Sequence, residues 1–364
     1  MKRKMVALVL ACCLSLSGCA NMFDGSYTSV KPHKQQTGSS GSQTVSVSNY
    51  VQLYSALAGL IESGTNTSVL SVGNYNQEKV VSDMKRAVKD VMSRNPIAAY
   101  AVEDVDYELG KSAGQPALAV KISYIHDRTE ILKIKQVTDN AQAITAITGA
   151  LNQCEVGIVL EIEDYQDTDF VQAVESYAME HPEKVMEMPQ VTVNTYPESG
   201  NHRVVALRFT YQTSRDSLKN MQEQVRPVFT SAALYVSGDA QVREKYSQLY
   251  SFLMERYDYQ YDTSITPTYS LLRHGVGDSR AFAVVYAAMC RQAELECMVV
   301  SGTKAGESHY WNIVCDNGLY FHVDLLGGSY QQRTDEEMSG YVWDYSAYPT
   351  CTGERAEKSE IIAE

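Results

Sequence analysis

Metal-ligand spacing is the first thing this chain of 364 residues lacks: it has no CxxC pair and no His–Cys cluster at zinc spacing. No nucleotide-binding motif is present either, so neither a cofactor nor a metal is expected. Basic charge is also in short supply, with 31 Lys+Arg against 44 Asp+Glu and a formal net charge of −13. That balance argues against nucleic acid and against adhesion to anionic polymers by simple charge attraction. Long apolar runs are missing as well. The candidate near the start, Met5 to Leu14, is well short of the about 20 residues that cross a bilayer.

That short run comes after Lys2, Arg3 and Lys4 and closes on Leu16-Ser17-Gly18-Cys19. A basic segment, an apolar run and small residues before a cysteine read as a signal peptide over residues 1–18. The cysteine-containing end is similar to a bacterial lipobox, which implies that Cys19 receives lipid and becomes the mature N-terminus. The expectation is a protein anchored to membrane lipid through Cys19 on the extracytoplasmic face, not one that spans the membrane. Loss of residues 1–18 would leave 28 basic and 44 acidic residues, a net charge of −16.

Residues 19–48 are rich in Ser, Thr, Gly and Gln and read as a flexible linker, because they cannot bury enough apolar surface to fold. The remaining roughly 315 residues have room for two or three domains. Of the eight cysteines, Cys12 and Cys13 lie in the apolar run and Cys19 is the lipid site. Cys154, Cys290, Cys297, Cys315 and Cys351 remain, and they read mostly as small buried apolar residues. Bridges between Cys315 and Cys351 or between Cys290 and Cys297 stay open.

Between residues 50 and 238 elements recur. Strand-like runs at 68–75 and 157–165 precede helical stretches at 77–94 and 168–185. Short strands at 104–109 and 190–196 come next, then alternating strands at 117–124 and 204–211, then helical stretches at 129–151 and 214–234. Tyr75 and Tyr165 are 90 residues apart, and Tyr124 and Tyr211 are 87 apart. The period-2 alternation supports the long strands. The expected fold class is therefore α+β, with repeat-like β-α-β-β-α units over 49–151 and 152–238 and a further α+β domain over 239–364.

In that last domain, residues 274–302 read HGVGDSRAFAVVYAAMCRQAELECMVVSG and residues 308–324 read SHYWNIVCDNGLYFHVD. This arrangement resembles the core of the transglutaminase-like superfamily, over roughly Asp239 to Cys351. In that family a glycine-led turn presents a cysteine at the start of a helix, with a His-Ala-Trp-Asn strand and a strand ending Tyr-His-Val-Asp after it. The resemblance implies a papain-like helix against an antiparallel sheet. It places His309 on the catalytic histidine and Asp324 on the catalytic aspartate, with Trp311, Asn312, His322 and Val323 matching around them. The cysteine position falls on Ser279. Tyr310 stands where the family often has alanine.

The chemistry of the substitution is set by the helix start. Asp278 or Ser279 suits an N-cap, and the positive end of the helix dipole favours an anion there. A thiol in that place is acidified toward a thiolate, whereas a hydroxyl stays neutral and needs a general base. Asn317-Gly318 predicts a two-residue hairpin in which paired residues sum to 635. Asp324 then sits opposite Trp311 and diagonal to His309, about 7–8 Å away at the backbone and within side-chain reach. A Ser279-His309-Asp324 triad is geometrically permitted.

Three readings are compatible with this pattern. A catalytically degenerate domain would bind or scaffold extracellular protein or peptidoglycan peptide. An active one would be an amide hydrolase or acyltransferase using Ser279. In the third, the N-terminal units carry function and the last domain is a structural cap. Cys290 lies three helical turns beyond Ser279 and reads as core; His126, His181, His202 and His274 form no cluster.

Overall fold

The computed structural model describes residues 45–353. The basic leader, the apolar run, Cys19 and the linker as far as residue 44 lie outside the described residues. Val45 and Ser46, expected in the linker, form strand β1 (Val45–Ser46), and Val47 is buried. The fold is α+β. Among the described residues no helix is long and apolar enough to cross a membrane.

The first sheet forms around α1 (Tyr50–Glu62), β2 (Thr67–Ser71), α2 (Val80–Arg94), α3 (Pro96–Ala101), β3 (Val102–Ser112) and β4 (Gln115–Tyr124), with strand order β1-β2-β4-β3. Asn49 caps α1 by accepting the Gln52 N–H, and Asn95 caps α3 ahead of Pro96, each satisfying an otherwise orphaned donor. Leu53, Leu57 and Ile61 lie at helical spacing on α1, and Leu118, Val120 and Ile122 alternate on β4; all are buried in one core.

The long helix expected over 129–151 is instead three elements: α4 (Arg128–Ile131), β5 (Lys135–Asp139) and α5 (Asn140–Asn152). Tertiary pairing wins over local periodicity here. β5 pairs in parallel with β6 (Gly157–Asp164), and Asp139 caps α5 by accepting the Gln142 N–H at 2.9 Å. The second sheet is completed by α6 (Phe170–Glu180), β7 (Gln190–Tyr196) and β8 (Arg203–Thr210), in the order β5-β6-β8-β7. The first sheet-bearing segment therefore reads β-α-β-α-α-β-β and the second β-α-β-α-β-β, neither of them the expected β-α-β-β-α. The helix assigned to the end of the first segment packs with the second, since Ala143, Ile147 and Leu151 share a core with Leu160 and Leu207.

α7 (Arg215–Tyr235) leads into α8 (Val242–Met254), β9 (Asp258–Tyr259), α9 (Pro267–Tyr269), β10 (Val276–Gly277) and α10 (Ser279–Gln292). An antiparallel sheet completes the chain, made of β11 (Cys297–Lys304), β12 (Glu307–Asp316), β13 (Leu319–Val323) and β14 (Tyr341–Trp343), in the order β13-β12-β11-β14. Every residue of α10 from Ala281 to Cys290 is buried, as a helix apolar on all sides must be. Leu218, Val225 and Phe229 of α7 belong to the same core as α10. α7, on the N-terminal side of the expected 238/239 boundary, therefore packs with the C-terminal elements.

Candidate active site

A sharp turn delivers Ser279. Gly275 adopts φ 85°, a left-handed conformation that glycine takes without strain. At Gly277 a Cβ would lie 2.9 Å from the Ala281 Cβ and 3.1 Å from Leu271 Cδ1, so the chain can pass this close to α10 only without a side chain. Asp278 caps α10, its carboxylate accepting the Ala281 N–H at 2.8 Å. Ser279 is the first helical residue and 9% exposed. Its Oγ accepts the Tyr310 N–H at 3.3 Å. Among the described residues no hydrogen bond joins Ser279 to His309.

The β12–β13 hairpin has the expected register. Asn312 pairs with Val323, Ile313 with His322 and Asp316 with Leu319. Asn317 and Gly318 have φ of 54° and 82°, the left-handed pair that such a turn requires. β13 ends at Val323, and Asp324 lies one residue beyond the ladder. There its Oδ1 meets His309 Nε2 at 3.1 Å and the Leu326 N–H at 3.0 Å. Its Oδ2 accepts Lys304 Nζ at 2.8 Å and the Tyr341 hydroxyl at 2.6 Å.

Four donors on one buried carboxylate set its charge. Burial alone would push the Asp324 carboxyl up, but the bonds from His309, Lys304 and Tyr341 hold it far below the usual carboxylate range. For Lys304, burial pulls the ammonium down, and the bonds to Asp324 and Tyr341 more than offset it. Burial and then the Asp324 bond push the Tyr341 phenol up, keeping it a donor. Asp324 thus orients His309 by one oxygen while Lys304 and Tyr341 occupy the other.

Lys304 and Tyr341 carry no sequence signal of this role. Lys304 reaches the carboxylate because β11 pairs Gly302 with His309 and Lys304 with Glu307. Tyr341 reaches it because β14 pairs Tyr341 with Lys304. Only cross-strand register brings them together.

Trp311 and Asn312 brace the site from opposite faces of β12. Trp311 is fully buried, its ring 5.2 Å from Tyr341 and 5.7 Å from Trp343. Asn312 Nδ2 donates to Ala283 O of α10 at 2.9 Å and to Met298 O at 3.3 Å, while its buried Oδ1 has no partner.

One group among the described residues brings three possible metal ligands close together: His322, Asp335 and Cys351, with donor atoms within 4.8 Å of one another. The donor set does not fit an ion. Trp311 Nε1 has only a proton to give and donates it to His322 Nδ1 at 2.9 Å. His322 Nε2 therefore carries the ring proton and donates it to Asp335 Oδ1 at 2.8 Å. A metal-bound histidine needs the opposite arrangement, with the distal nitrogen donating. Burial pushes the Cys351 thiol up to about 12, away from the thiolate that a metal requires. The three residues instead tie the C-terminal segment to β13.

All five described cysteines are free thiols, so neither of the bridges left open by the sequence is formed. Cys290 is fully buried, and burial pushes its thiol well above the ordinary value. It cannot serve in place of Ser279. The remaining histidines are scattered: His126 stacks on Tyr100, His181 lies beside Glu183, His202 pairs with Glu161 and His274 sits against Tyr269.

A cleft of about 570 Å³ opens beside His309. Tyr250, Tyr259 and Tyr261 line it together with Lys304, Glu307 and Leu326. Tyr259 and Tyr261 are exposed, so its rim presents aromatic faces to solvent.

A family described as the transglutaminase-like superfamily matches residues 230–325. No curated protein matches the chain. Among solved structures, a TGase aligns at 12% identity over 50% of this chain and 54% of its own, with a TM-score of 0.27. This chain therefore spans about half the length of that relative. A protein of Cytophaga hutchinsonii, provisionally named a cysteine protease, aligns at 11% identity over 42% of this chain and 70% of its own, with a TM-score of 0.26. A provisionally named protease of Parabacteroides distasonis aligns at 10% identity over 64% and 41%, with a TM-score of 0.23. From residue 230 to residue 325 the chain carries a domain of the transglutaminase-like superfamily, with serine at position 279.

Proposed function

We propose that this is a lipid-anchored extracytoplasmic protein whose transglutaminase-like domain binds protein or cell-wall peptide without turning it over. The observation that carries this reading is the state of Ser279. Its oxygen accepts the Tyr310 N–H, and its own proton has no acceptor among the described residues. A neutral alcohol needs a base in hydrogen-bond reach to act as a nucleophile, and none is bonded to Ser279 among the described residues. The cleft beside His309, rimmed by tyrosines and offering Lys304 and Glu307, supports binding of a polar, extended ligand. The anchor rests on the basic start, the short apolar run and the Leu16-Ser17-Gly18-Cys19 end.

The test is intact-mass labelling of the full chain with a fluorophosphonate, alongside Ser279→Ala and His309→Ala. No adduct on folded protein is expected. Stoichiometric modification of Ser279 that requires His309 would instead establish the second reading, an amide hydrolase or acyltransferase. The oriented His309–Asp324 pair is what favours that alternative. For the anchor, metabolic incorporation of an alkynyl fatty acid is expected in the native chain and lost in Cys19→Ser; incorporation that survives this change would remove Cys19 as the lipid site.

A further inference from the structure

A second cavity, of about 240 Å³, lies between the segment after α6 and the loop preceding α9, against the first turns of α10. Met179, Val185, Met186 and Met188 line it from the first side, with Ile265 and Val284 from the loop and α10. Of the polar side chains that line it, Thr268 and Arg280 are the less exposed ones without a side-chain hydrogen bond among the described residues. Thr268 is 1% exposed, yet its hydroxyl makes no hydrogen bond within the described chain. Arg280, next to Ser279, makes no ion pair, and the described contact of its guanidinium is the Tyr310 ring, 5.9 Å from the centroid. The acidic residue of the cavity is already committed, because the buried Glu187 accepts the backbone N–H groups of Gln212 at 2.6 Å and Thr213 at 3.0 Å.

The Thr268 hydroxyl can donate as well as accept, and an unpaired guanidinium offers a planar fork of donors. Arg280 has donors only, and the Thr268 hydroxyl can add one, so the ligand group that complements this pair is an anion with two planar acceptors. Carboxylate matches that fork bidentately. The methionine walls suit an apolar side chain of variable shape. The volume falls below the about 300–1,000 Å³ of sites for drug-sized ligands, which suits one residue and not a long acyl chain.

We infer that this cavity binds the C-terminal residue of a peptide, with the carboxylate on Arg280 and Thr268 and an apolar last side chain among Met179, Met186 and Met188. The site is separate from His309 and holds whichever way Ser279 is read. A free apolar carboxylic acid shares the same chemistry, and the experiment distinguishes the two sources.

The experiment is fluorescence anisotropy of the full chain with an N-terminally labelled peptide ending in leucine, as the free acid and as the amide. Saturable binding of the acid is expected. Arg280→Gln should weaken it by about tenfold or more, as expected for losing a charged hydrogen-bond partner, and Thr268→Val by a smaller factor. The amide should bind weakly and equally to the native chain and to Arg280→Gln. Lys89→Ala, on the exposed face of α2, should leave the affinity unchanged. Competition by N-acetyl-leucine as strong as by unlabelled peptide would keep the site and name the free acid as its source. Equal binding of acid and amide, indifference to Arg280→Gln in a variant with native melting temperature, or no saturable binding would each overturn the assignment.

Discussion

The backbone N–H of Tyr310 donates to the hydroxyl of Ser279 across 3.3 Å, tying the first turn of α10 to β12 just where β13 has ended. The bond places residue 279 beside the strand that carries His309, and it occupies the serine oxygen without removing the serine proton. The site retains its framework, and the residue at its centre has the wrong acidity for a thiolate mechanism.

Restoring sulfur tests that framework. Ser279→Cys is expected to yield a thiol that iodoacetamide alkylates at neutral pH, since the start of α10 favours the anion and His309 is held nearby. Adding His309→Ala should slow the alkylation by about 100-fold, the lower end of a general-base contribution of roughly 10²–10⁴. Intact mass over time reads both rates. A thiol that reacts no faster than Cys297 would show that the helix start does not activate position 279.

Asp324→Asn removes the charge shared by His309, Lys304 and Tyr341. A loss of about 3 kcal/mol is expected at neutral pH, because one partner of a buried charged cluster is left uncompensated. Since the folded carboxyl is held below its unfolded value of about 3.9, its contribution is fully present above that pH and fades as pH falls toward the folded value. Urea melts of the native chain and of Asp324→Asn at descending pH should therefore differ most at neutrality and converge in acid. A constant difference down to the lowest pH at which the chain folds would contradict the assigned ionisation.

Gly277→Ala places a methyl 2.9 Å from the Ala281 Cβ and against Leu271. Overpacking of this kind costs about 1–3 kcal/mol, and here the strain falls on the turn that presents Ser279. Calorimetry should show a lower melting temperature, and in the Ser279→Cys background the rate of iodoacetamide alkylation at position 279 should change with it. Gly306, where no atom lies within 4 Å of an added Cβ but φ is 86°, serves as the comparison for backbone strain without crowding.

Chain truncation reports on the packing of α7. A chain ending at residue 238 retains α7 but loses the partners of Leu218, Val225 and Phe229, so it is expected to expose an apolar stripe and associate. A chain ending at residue 213 lacks that stripe and should be monodisperse by light scattering. Equal behaviour of the two would place α7 with the sheet of β5 to β8 instead.

Much of this was legible in the sequence because its determinants are local. Asn317-Gly318 is a two-residue turn whose left-handed backbone specifies the pairing of Asn312 with Val323, and that register alone brings Asp324 to the neighbourhood of His309. The Gly-Val-Gly-Asp-Ser run likewise shows a tight turn and a capped helix start. By contrast, the helical periodicity across residues 129–151 was overridden at Lys135–Asp139, because the hydrogen bonds offered there by β6 come from residues far along the chain.

The sequence by itself determined the α+β class, the hairpin register, the helix start at Asp278-Ser279 and the shortage of basic charge. Only the tertiary structure decided that Lys304 and Tyr341 join His309 on one carboxylate, that Trp311 sets the tautomer of His322, and that Arg280 and Thr268 face a common cavity. Turns, caps and alternation act through neighbouring residues and can be read one segment at a time. Convergence of side chains from β11, β12 and β14, or from the α6 loop and α10, depends on how whole elements pack, and no local pattern encodes it.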